Sequence, residues 1–125
     1  MTNNLLYTKE LMHYFKNQPY KKDLQNYDYF GKASNDHCGD NIEVKIKVNE
    51  EGEIVDIGYK SDGCAVSQSY MSMLAEDIVG LNISGLLKLN DNYVESLIDL
   101  DLTPSRKNCA LVGLKAVKDA VRKDK

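Results

Sequence analysis

The sequence predicts an α+β fold in which a small antiparallel three-stranded sheet is covered by helices. Residues 42–48, IEVKIKV, alternate apolar and charged side chains, which is typical of a half-buried strand. Residues 54–60, IVDIGYK, form a second such segment after the turn sequence NEEGE. Two later segments repeat apolar residues every three or four positions, as helices that cover a sheet do.

The chain begins with a predicted helix. Residues 4–17 place apolar side chains between polar ones at helical spacing, and we expect this helix to end before Pro19, which cannot continue it. Residues 18–36 are polar and rich in tyrosine. Within them YFGKAS, residues 29–34, is the candidate for the third strand.

The two alternating segments are expected to pair as a hairpin. Directly opposed residues share a face of the sheet, so apolar positions on one strand must face apolar positions on the other. A tight turn at Glu51 and Gly52, with glycine at positive φ, satisfies this condition. The predicted pairs are Val44 with Tyr59, Ile46 with Ile57, and Val48 with Val55.

The open end of this hairpin joins two polar segments. Continuing the same ladder beyond the strands sets Cys64 opposite Gly39, beside Cys38 and Asp40. We therefore expect the segments HCGD and DGC, which hold these residues, to approach each other in space.

A long helix is predicted directly after Cys64. Gly80 is a typical helix stop. The apolar stripe of this helix consists of Val66, Tyr70, Leu74 and Ile78, with Met73 alongside. Met71 and Met73 are interpreted as core residues that fill gaps between helices.

Three further helices are predicted in the C-terminal part of the chain. Residues 82–102 suggest two short ones, the first from Ser84 and the second from the Asn90-Asp91 pair through Leu97. A new start at Thr103-Pro104 introduces the last helix. Its apolar stripe consists of Ala110, Leu114, Val117 and Val121.

Composition narrows the class of protein. The 125 residues suit a single domain, 1–125, with 42% apolar and 28% charged residues, as in globular proteins. A net charge of −3 gives no basic surface for nucleic acid. We recognise no signal peptide and no membrane-spanning run, so we expect a cytoplasmic protein without a membrane partner. There, three cysteines indicate thiols or thiolate ligands rather than structural disulfides.

Two of the cysteines are associated with helix starts. Cys64 is expected at a helix N-terminus, where free N–H groups and the helix dipole favour the thiolate. Cys109 lies in a similar environment if Asn108 caps the last helix. It lies deeper in that helix if Thr103 is the cap and Pro104 the first helical residue.

The third cysteine completes a set of metal ligands. Cys38 is predicted to lie in a loop, and Asp40 adds a carboxylate two residues on. Three thiolates and one carboxylate form a tetrahedral set that suits zinc or a small iron–sulfur cluster. The absence of a C-x-x-C motif excludes a simple match to a zinc ribbon or a thioredoxin-like site. On spacing alone, three unrelated buried cysteines are the alternative, whereas the predicted register favours a shared site for Cys38 and Cys64.

Several short motifs occur in an order that resembles a known family. CGD opens a strand, DGC follows the hairpin and leads into a long helix, and a third cysteine opens the final helix. The segment ELMHYFKNQPY is also similar to that family's first helix and the turn after it. Over nearly the whole chain, these features resemble the iron–sulfur cluster assembly scaffolds of the NifU N-terminal, IscU and SufU group, which have a SufE/NifU-like fold.

The resemblance implies ligands, cargo and partners. The family's cluster ligands correspond to Cys38, Cys64 and Cys109, and its cluster-proximal carboxylate corresponds to Asp40. The implied activity is not enzymatic: the scaffold takes sulfur from a cysteine desulfurase, binds iron, holds a transient [2Fe–2S] cluster and passes it to apo iron–sulfur recipient proteins. The sulfur acceptor is Cys109 on the resemblance or Cys64 on its helix-terminal position.

The chain departs from IscU-type members before the third cysteine. Asn108 stands where those members carry histidine, and LTPSRKN, residues 102–108, replaces the Leu-Pro-Pro-Val-Lys motif, which does not support recognition by an Hsp70-type chaperone. Arg106 matches an arginine of SufU-type members and is a candidate residue near the site, although the SufU-type insertion is absent. The alternative function is therefore a zinc-dependent, SufU-like sulfurtransferase that accepts persulfide sulfur from the desulfurase.

Overall fold

A computed structural model describes residues 2–35, 39–97 and 104–123. Within these ranges the chain forms five helices and three strands. In chain order they are α1 (Thr2–Lys16), β1 (Tyr29–Asn35), β2 (Asp40–Val48), β3 (Ile54–Asp62), α2 (Ala65–Ile78), α3 (Ile83–Lys88), α4 (Asp91–Glu95) and α5 (Pro104–Lys123). The predicted α+β class is confirmed.

The three strands form one antiparallel sheet in the order β1-β2-β3. The segment 29–34, predicted as the third strand, pairs with β2. The predicted register of the central hairpin is confirmed for two pairs: Val44 faces Tyr59, and Ile46 faces Ile57. Their side chains are buried on the face that carries the helices.

The third predicted pair of the hairpin is wrong. Val48 faces Ile54 instead of Val55, because the register shifts by one residue near the turn. Ile54 is therefore 1% exposed and Val55 46% exposed. The turn itself explains the shift: Asn49 Oδ1 accepts hydrogen bonds from the N–H groups of Glu51 and Glu53, so the local turn geometry overrides strict alternation.

Close backbone packing holds α5 on the sheet. A Cβ atom at Gly31 in β1 would lie 2.3 Å from the backbone nitrogen of Ala120, so a side chain at this position would push α5 away. Gly113 in α5 similarly leaves room for Met71 of α2. Met71 and Met73 are both buried, as predicted. This packing brings the first half of α5 over the ends of β1 and β2.

Helix boundaries differ slightly from the predictions. The helix α3 begins at Ile83, one residue before the predicted Ser84, because Asn82 caps it by accepting the Gly85 N–H. The helix α4 ends at Glu95 rather than at Leu97. The helix α5 begins at Pro104, which decides between the two predicted starts and places Cys109 in the second helical turn. The predicted cap, Thr103, lies outside the described residues.

Candidate metal centre

Cys64 joins β3 to α2. It is the N-cap residue of α2, with an extended backbone (φ −77°, ψ 167°), which confirms the predicted position at a helix N-terminus. The preceding Gly63 has φ 154°, and a Cβ atom there would lie 2.1 Å from Asp40 Oδ1. Only glycine allows this turn to pass so close to the carboxylate.

Asp40 is a fully buried acidic residue. Its exposure is 0%, and its Oδ1 accepts a hydrogen bond of 2.9 Å from the backbone N–H of Cys64. Its Oδ2 lies 3.9 Å from Cys64 Sγ. Among the described residues the salt bridges are Lys22 with Asp56 and Lys45 with Asp23. No described cation therefore neutralises the Asp40 carboxylate. A buried carboxylate without a cation is costly, which makes the site attractive for a metal ion.

Cys109 reaches the same point from α5. Its side chain is 1% exposed, and Asn35 at the end of β1 donates a hydrogen bond from Nδ2 to its Sγ, at 3.7 Å. One ligand atom each from Asp40, Cys64 and Cys109 lies within 4.8 Å of the other two. Ligand atoms of a tetrahedral zinc site are roughly 3.3–3.8 Å apart, given bonds of about 2.0–2.3 Å. The three residues thus form a group that could hold a metal ion after a contraction of about 1 Å.

Sequence reasoning named four ligands and one neighbour. The structure brings three of the four ligands, Asp40, Cys64 and Cys109, together. Cys38 lies outside the described residues, and so does the side chain of Arg106, whose backbone belongs to α5. The predicted approach of the HCGD and DGC segments is confirmed at Asp40 and Cys64. The paired strands themselves end at Asn41 and Asp62.

Two polar residues near the site were missed by the sequence analysis. Asn35 faces Asp40 across the β1–β2 ladder and contacts Cys109. Gln68 in α2 is 8% exposed and donates a hydrogen bond to the carbonyl oxygen of Gly63. One signal could have indicated Gln68: the first eleven residues of α2 contain no charged side chain, which is typical of a helix buried on most faces.

The described helices do not include one that combines the length and the apolar character needed to cross a membrane. The fold and site together define a small α+β protein with a group of thiols and a carboxylate suited to a metal ion. The chain belongs to the family described as the NifU-like N terminal domain, whose sequence pattern matches residues 6–125.

Named relatives agree with this family. The chain is 30% identical over 121 residues to the iron–sulfur cluster assembly scaffold protein IscU of Buchnera aphidicola subsp. Schizaphis graminum, covering 94% of this chain and 92% of the relative. It is 24% identical over 139 residues to the protein of the same name from Thermotoga maritima, covering 98% and 97%. Both alignments span almost the full length of each protein.

A solved structure shares the fold. The crystal structure of a protein from Fervidobacterium islandicum, described as an iron–sulfur cluster assembly scaffold protein for the SUF system, superposes with a TM-score of 0.77. The alignment covers 94% of this chain and 97% of that one at 22% sequence identity. This similarity supports the three-stranded sheet with its covering helices.

Proposed function

We propose that this chain, as a single domain over residues 1–125, is a cytoplasmic scaffold on which [2Fe–2S] clusters are assembled and from which they are transferred. The proposed ligands are Cys38, Asp40, Cys64 and Cys109. The observation that carries the proposal is the convergence of a fully buried carboxylate and two cysteine sulfurs within 4.8 Å. Cys38 is separated from Asp40 by one residue in the sequence, and it supplies the fourth ligand.

A mixed ligand set suits a cluster that must leave. Thiolates bind iron strongly, and four of them would retain a cluster. The carboxylate of Asp40 is a harder and more easily exchanged ligand, so one corner of the site can open to a recipient. Because the cluster is cargo, we propose no enzymatic activity for the scaffold. Apo iron–sulfur proteins are the recipients.

The proposed sulfur donor is a cysteine desulfurase that carries a persulfide. A thiolate of this chain attacks the outer sulfur of that persulfide, a new S–S bond forms here, and the desulfurase cysteine leaves as a thiolate. Of the two described thiols, Cys64 is the better acceptor because its side chain is partly exposed, whereas Cys109 is 1% exposed.

A zinc-dependent sulfurtransferase is the second candidate. The observation that favours it is that the three described donors converge on one point, as they do around a single tetrahedral ion. Asn108 is exposed and stands before Cys109, so the described part of the site offers no histidine ligand. In this candidate a cysteine displaced from zinc accepts the persulfide sulfur.

Metal and acid-labile sulfide analysis separates the candidates. Protein purified without oxygen is measured before and after incubation with ferrous iron, cysteine, a desulfurase and a thiol reductant that reduces the transferred sulfur to sulfide, and its UV–visible spectrum is recorded. A scaffold yields about two irons and two sulfides per one or two chains, with a cluster spectrum. One retained zinc per chain without a cluster would instead establish the second candidate.

Single variants test the ligand set. Alanine at Cys38, Asp40, Cys64 or Cys109 is expected to reduce bound metal strongly. The matched control is Asp62→Ala, which removes an exposed carboxylate two residues before Cys64 and should leave metal content unchanged. Unaltered metal content in all four site variants would show that these residues do not form a metal centre.

A further inference from the structure

Gln68 is a buried amide in the second turn of α2, and its exposure is only 8%. Its Nε2 donates a hydrogen bond of 3.1 Å to the carbonyl oxygen of Gly63, the residue before Cys64. Its Oε1 accepts a hydrogen bond of 2.7 Å from Lys21 Nζ and one of 3.3 Å from Gln18 Nε2. The amide thus lies between the Cys64 turn and the segment that follows α1.

These partners determine which way the amide points. Lys21 can only donate, so the Gln68 oxygen must face it, and the Gly63 carbonyl can only accept, so the Gln68 nitrogen must face that group. A reversed amide would lose both bonds and set like groups against each other. The two ends of the side chain therefore bind two different groups.

The segment that carries Gln18 and Lys21 is itself anchored to β3. Tyr59 OH donates a hydrogen bond of 2.7 Å to Gln18 Oε1, and the Tyr59 backbone N–H donates one to the carbonyl oxygen of Tyr20. A tyrosine hydroxyl is protonated at neutral pH, so Tyr59 can donate this bond, and burial raises its pKa further. One connected set of hydrogen bonds therefore runs from β3 through the Gln18–Lys21 segment to the turn before Cys64.

We propose that Gln68 is a positioning residue, which holds the Gly63–Cys64 peptide so that Cys64 stays against Asp40, and which links that position to the Gln18–Lys21 segment. When this segment leaves α2, Gln68 loses the partners that orient its amide, and the Cys64 turn becomes free to open. The placement of Cys64 stands on the geometry alone. The further consequence, that opening of the Cys64 turn lets metal load and leave, rests on the proposed function.

Two substitutions of Gln68 divide its roles. Gln68→Glu keeps an oxygen for Lys21 and Gln18 but sets a second oxygen against the Gly63 carbonyl. Gln68→Met removes both interactions at similar size. If Gln68 served stability alone, both variants would loosen the whole chain, and the reactivity of Cys64 and Cys109 would rise together. If Gln68 positions Cys64, both substitutions should make Cys64 more reactive and leave the reactivity of Cys109 unchanged.

The readout is the alkylation rate of Cys64 in metal-free, reduced protein, followed by peptide mass spectrometry. We expect Cys64 to react roughly tenfold faster in Gln68→Glu and Gln68→Met, as for loss of one or two buried hydrogen bonds. Cys109 in the same sample is the internal reference and should keep its rate. A parallel rise at Cys64 and Cys109 would mean general loosening and would overturn the proposal.

Matched controls exist for both sides of the interaction. Ser69→Ala removes a neighbouring buried bond from α2, to the Leu11 carbonyl, without touching Gly63. Lys21→Met removes a bond to Gln68, whereas Lys22→Met removes a salt bridge to Asp56 instead. Cys64 should react faster in Lys21→Met and unchanged in the Ser69 and Lys22 variants. An unchanged Cys64 rate in both Gln68 variants would refute the positioning role.

Because this assay needs no metal, it separates the two proposals. Faster alkylation of Cys64 in a chain that never binds metal would leave the positioning role standing and remove the scaffold function. A chain that assembles clusters normally, with Cys64 unaffected by either Gln68 substitution, would support the scaffold function and remove the positioning role.

Discussion

The two ends of the β2–β3 hairpin bind backbone N–H groups with different side chains. At the closed end Asn49 Oδ1 accepts from Glu51 and Glu53 at 2.9 and 3.0 Å, and the turn is largely exposed. At the open end Asp40 Oδ1 accepts from Cys64 at 2.9 Å, and the carboxylate is fully buried. The first is a neutral amide in contact with water, and the second is a charged group removed from it.

The contrast between the two ends indicates the role of the open one. A neutral amide suffices to bind a turn, as Asn49 shows, so a buried charge is not needed for that task. The buried carboxylate of Asp40 has no cation beside it among the described residues, and this lowers the stability of the metal-free protein. A cation bound between Asp40 and the two thiols, as proposed, would offset this cost.

The largest expected effect concerns the glycines of the two ends. Gly63→Ala places a Cβ atom 2.1 Å from Asp40 Oδ1, so we expect a loss of about 4 kcal/mol in the free energy of unfolding, from backbone strain and overpacking. Gly52→Ala also occupies a positive φ, of 80°, but meets no atom within 4 Å. Its expected loss is about 1.5 kcal/mol.

Urea denaturation of the metal-free proteins measures both glycine variants. Equal losses at Gly63 and Gly52 would show that the two ends are packed alike. That result would contradict the close approach of the Gly63 turn to the carboxylate.

The second experiment tests the register shift at the closed end. Ile54→Ala deletes a side chain that is 1% exposed and should lower the free energy of unfolding by about 3 kcal/mol. Val55→Ala alters a side chain that is 46% exposed and should change it by less than about 0.5 kcal/mol. The reverse order in thermal or urea unfolding would restore the register expected from simple alternation.

The third experiment replaces the buried carboxylate of Asp40 with a neutral amide. Asp40→Asn keeps an oxygen for the Cys64 N–H and removes the buried charge, so the stability of the metal-free protein should not fall. Its metal affinity should fall by at least about 100-fold, because the loss of a ligand costs no less than the loss of a group that orients one. Asn49→Ala loses three hydrogen bonds in an exposed turn, two accepted from backbone N–H groups and one donated to Glu53 Oε1, and should cost about 1 kcal/mol with unchanged metal affinity. Competition with a chromophoric chelator measures the affinities, and a large loss of stability in Asp40→Asn would argue that the carboxylate serves folding.

The smallest effect is expected from the ion pair of Lys45, in the middle of β2, with Asp23. A hydrogen bond of 2.8 Å from Lys45 lowers the pKa of Asp23 below its ordinary value of 3.8. A lowered pKa means that the pair stabilises the fold at neutral pH and that this contribution disappears as the pH falls below that value. Asp23 is exposed and Lys45 is partly exposed, so Asp23→Asn should shift the melting temperature only slightly at pH 7, and this shift should shrink as the pH falls through the lowered pKa of Asp23. A large shift in melting temperature at pH 7 would mean that this ion pair contributes as much to stability as a buried group does.

Much of the fold could be predicted because it depends on local periodicity. The alternation in 42–48 and the four-residue stripe from Val66 to Ile78 each report one buried face, and both were confirmed. The exception is Ile54, where hydrogen bonds of Asn49 inside the turn outweighed the alternation. Side-chain hydrogen bonds of this kind leave only a weak trace in a hydrophobic pattern.

The candidate site was predicted in part. The hairpin register brought Cys64 to Asp40, because pairing in a sheet converts sequence positions into neighbours. Cys109 entered the predicted site through the count of thiolates in a ligand set and through the resemblance to a family, since no local rule relates a position in the last helix to a strand end. Asn35 and Gln68 were missed because they act through contacts between distant segments.

Local sequence was therefore enough to specify the strands, the helices, the pairing of the central hairpin away from its turn and the place of Cys64 at a helix start. These features depend on side-chain period and on residues with special backbone preferences, which act over a few positions. Three other features emerge only in the folded chain: α5 lies close against Gly31, Cys109 lies near Asp40, and the carboxylate is buried. Such contacts arise when whole elements pack, and packing depends on shape and volume summed over the entire core.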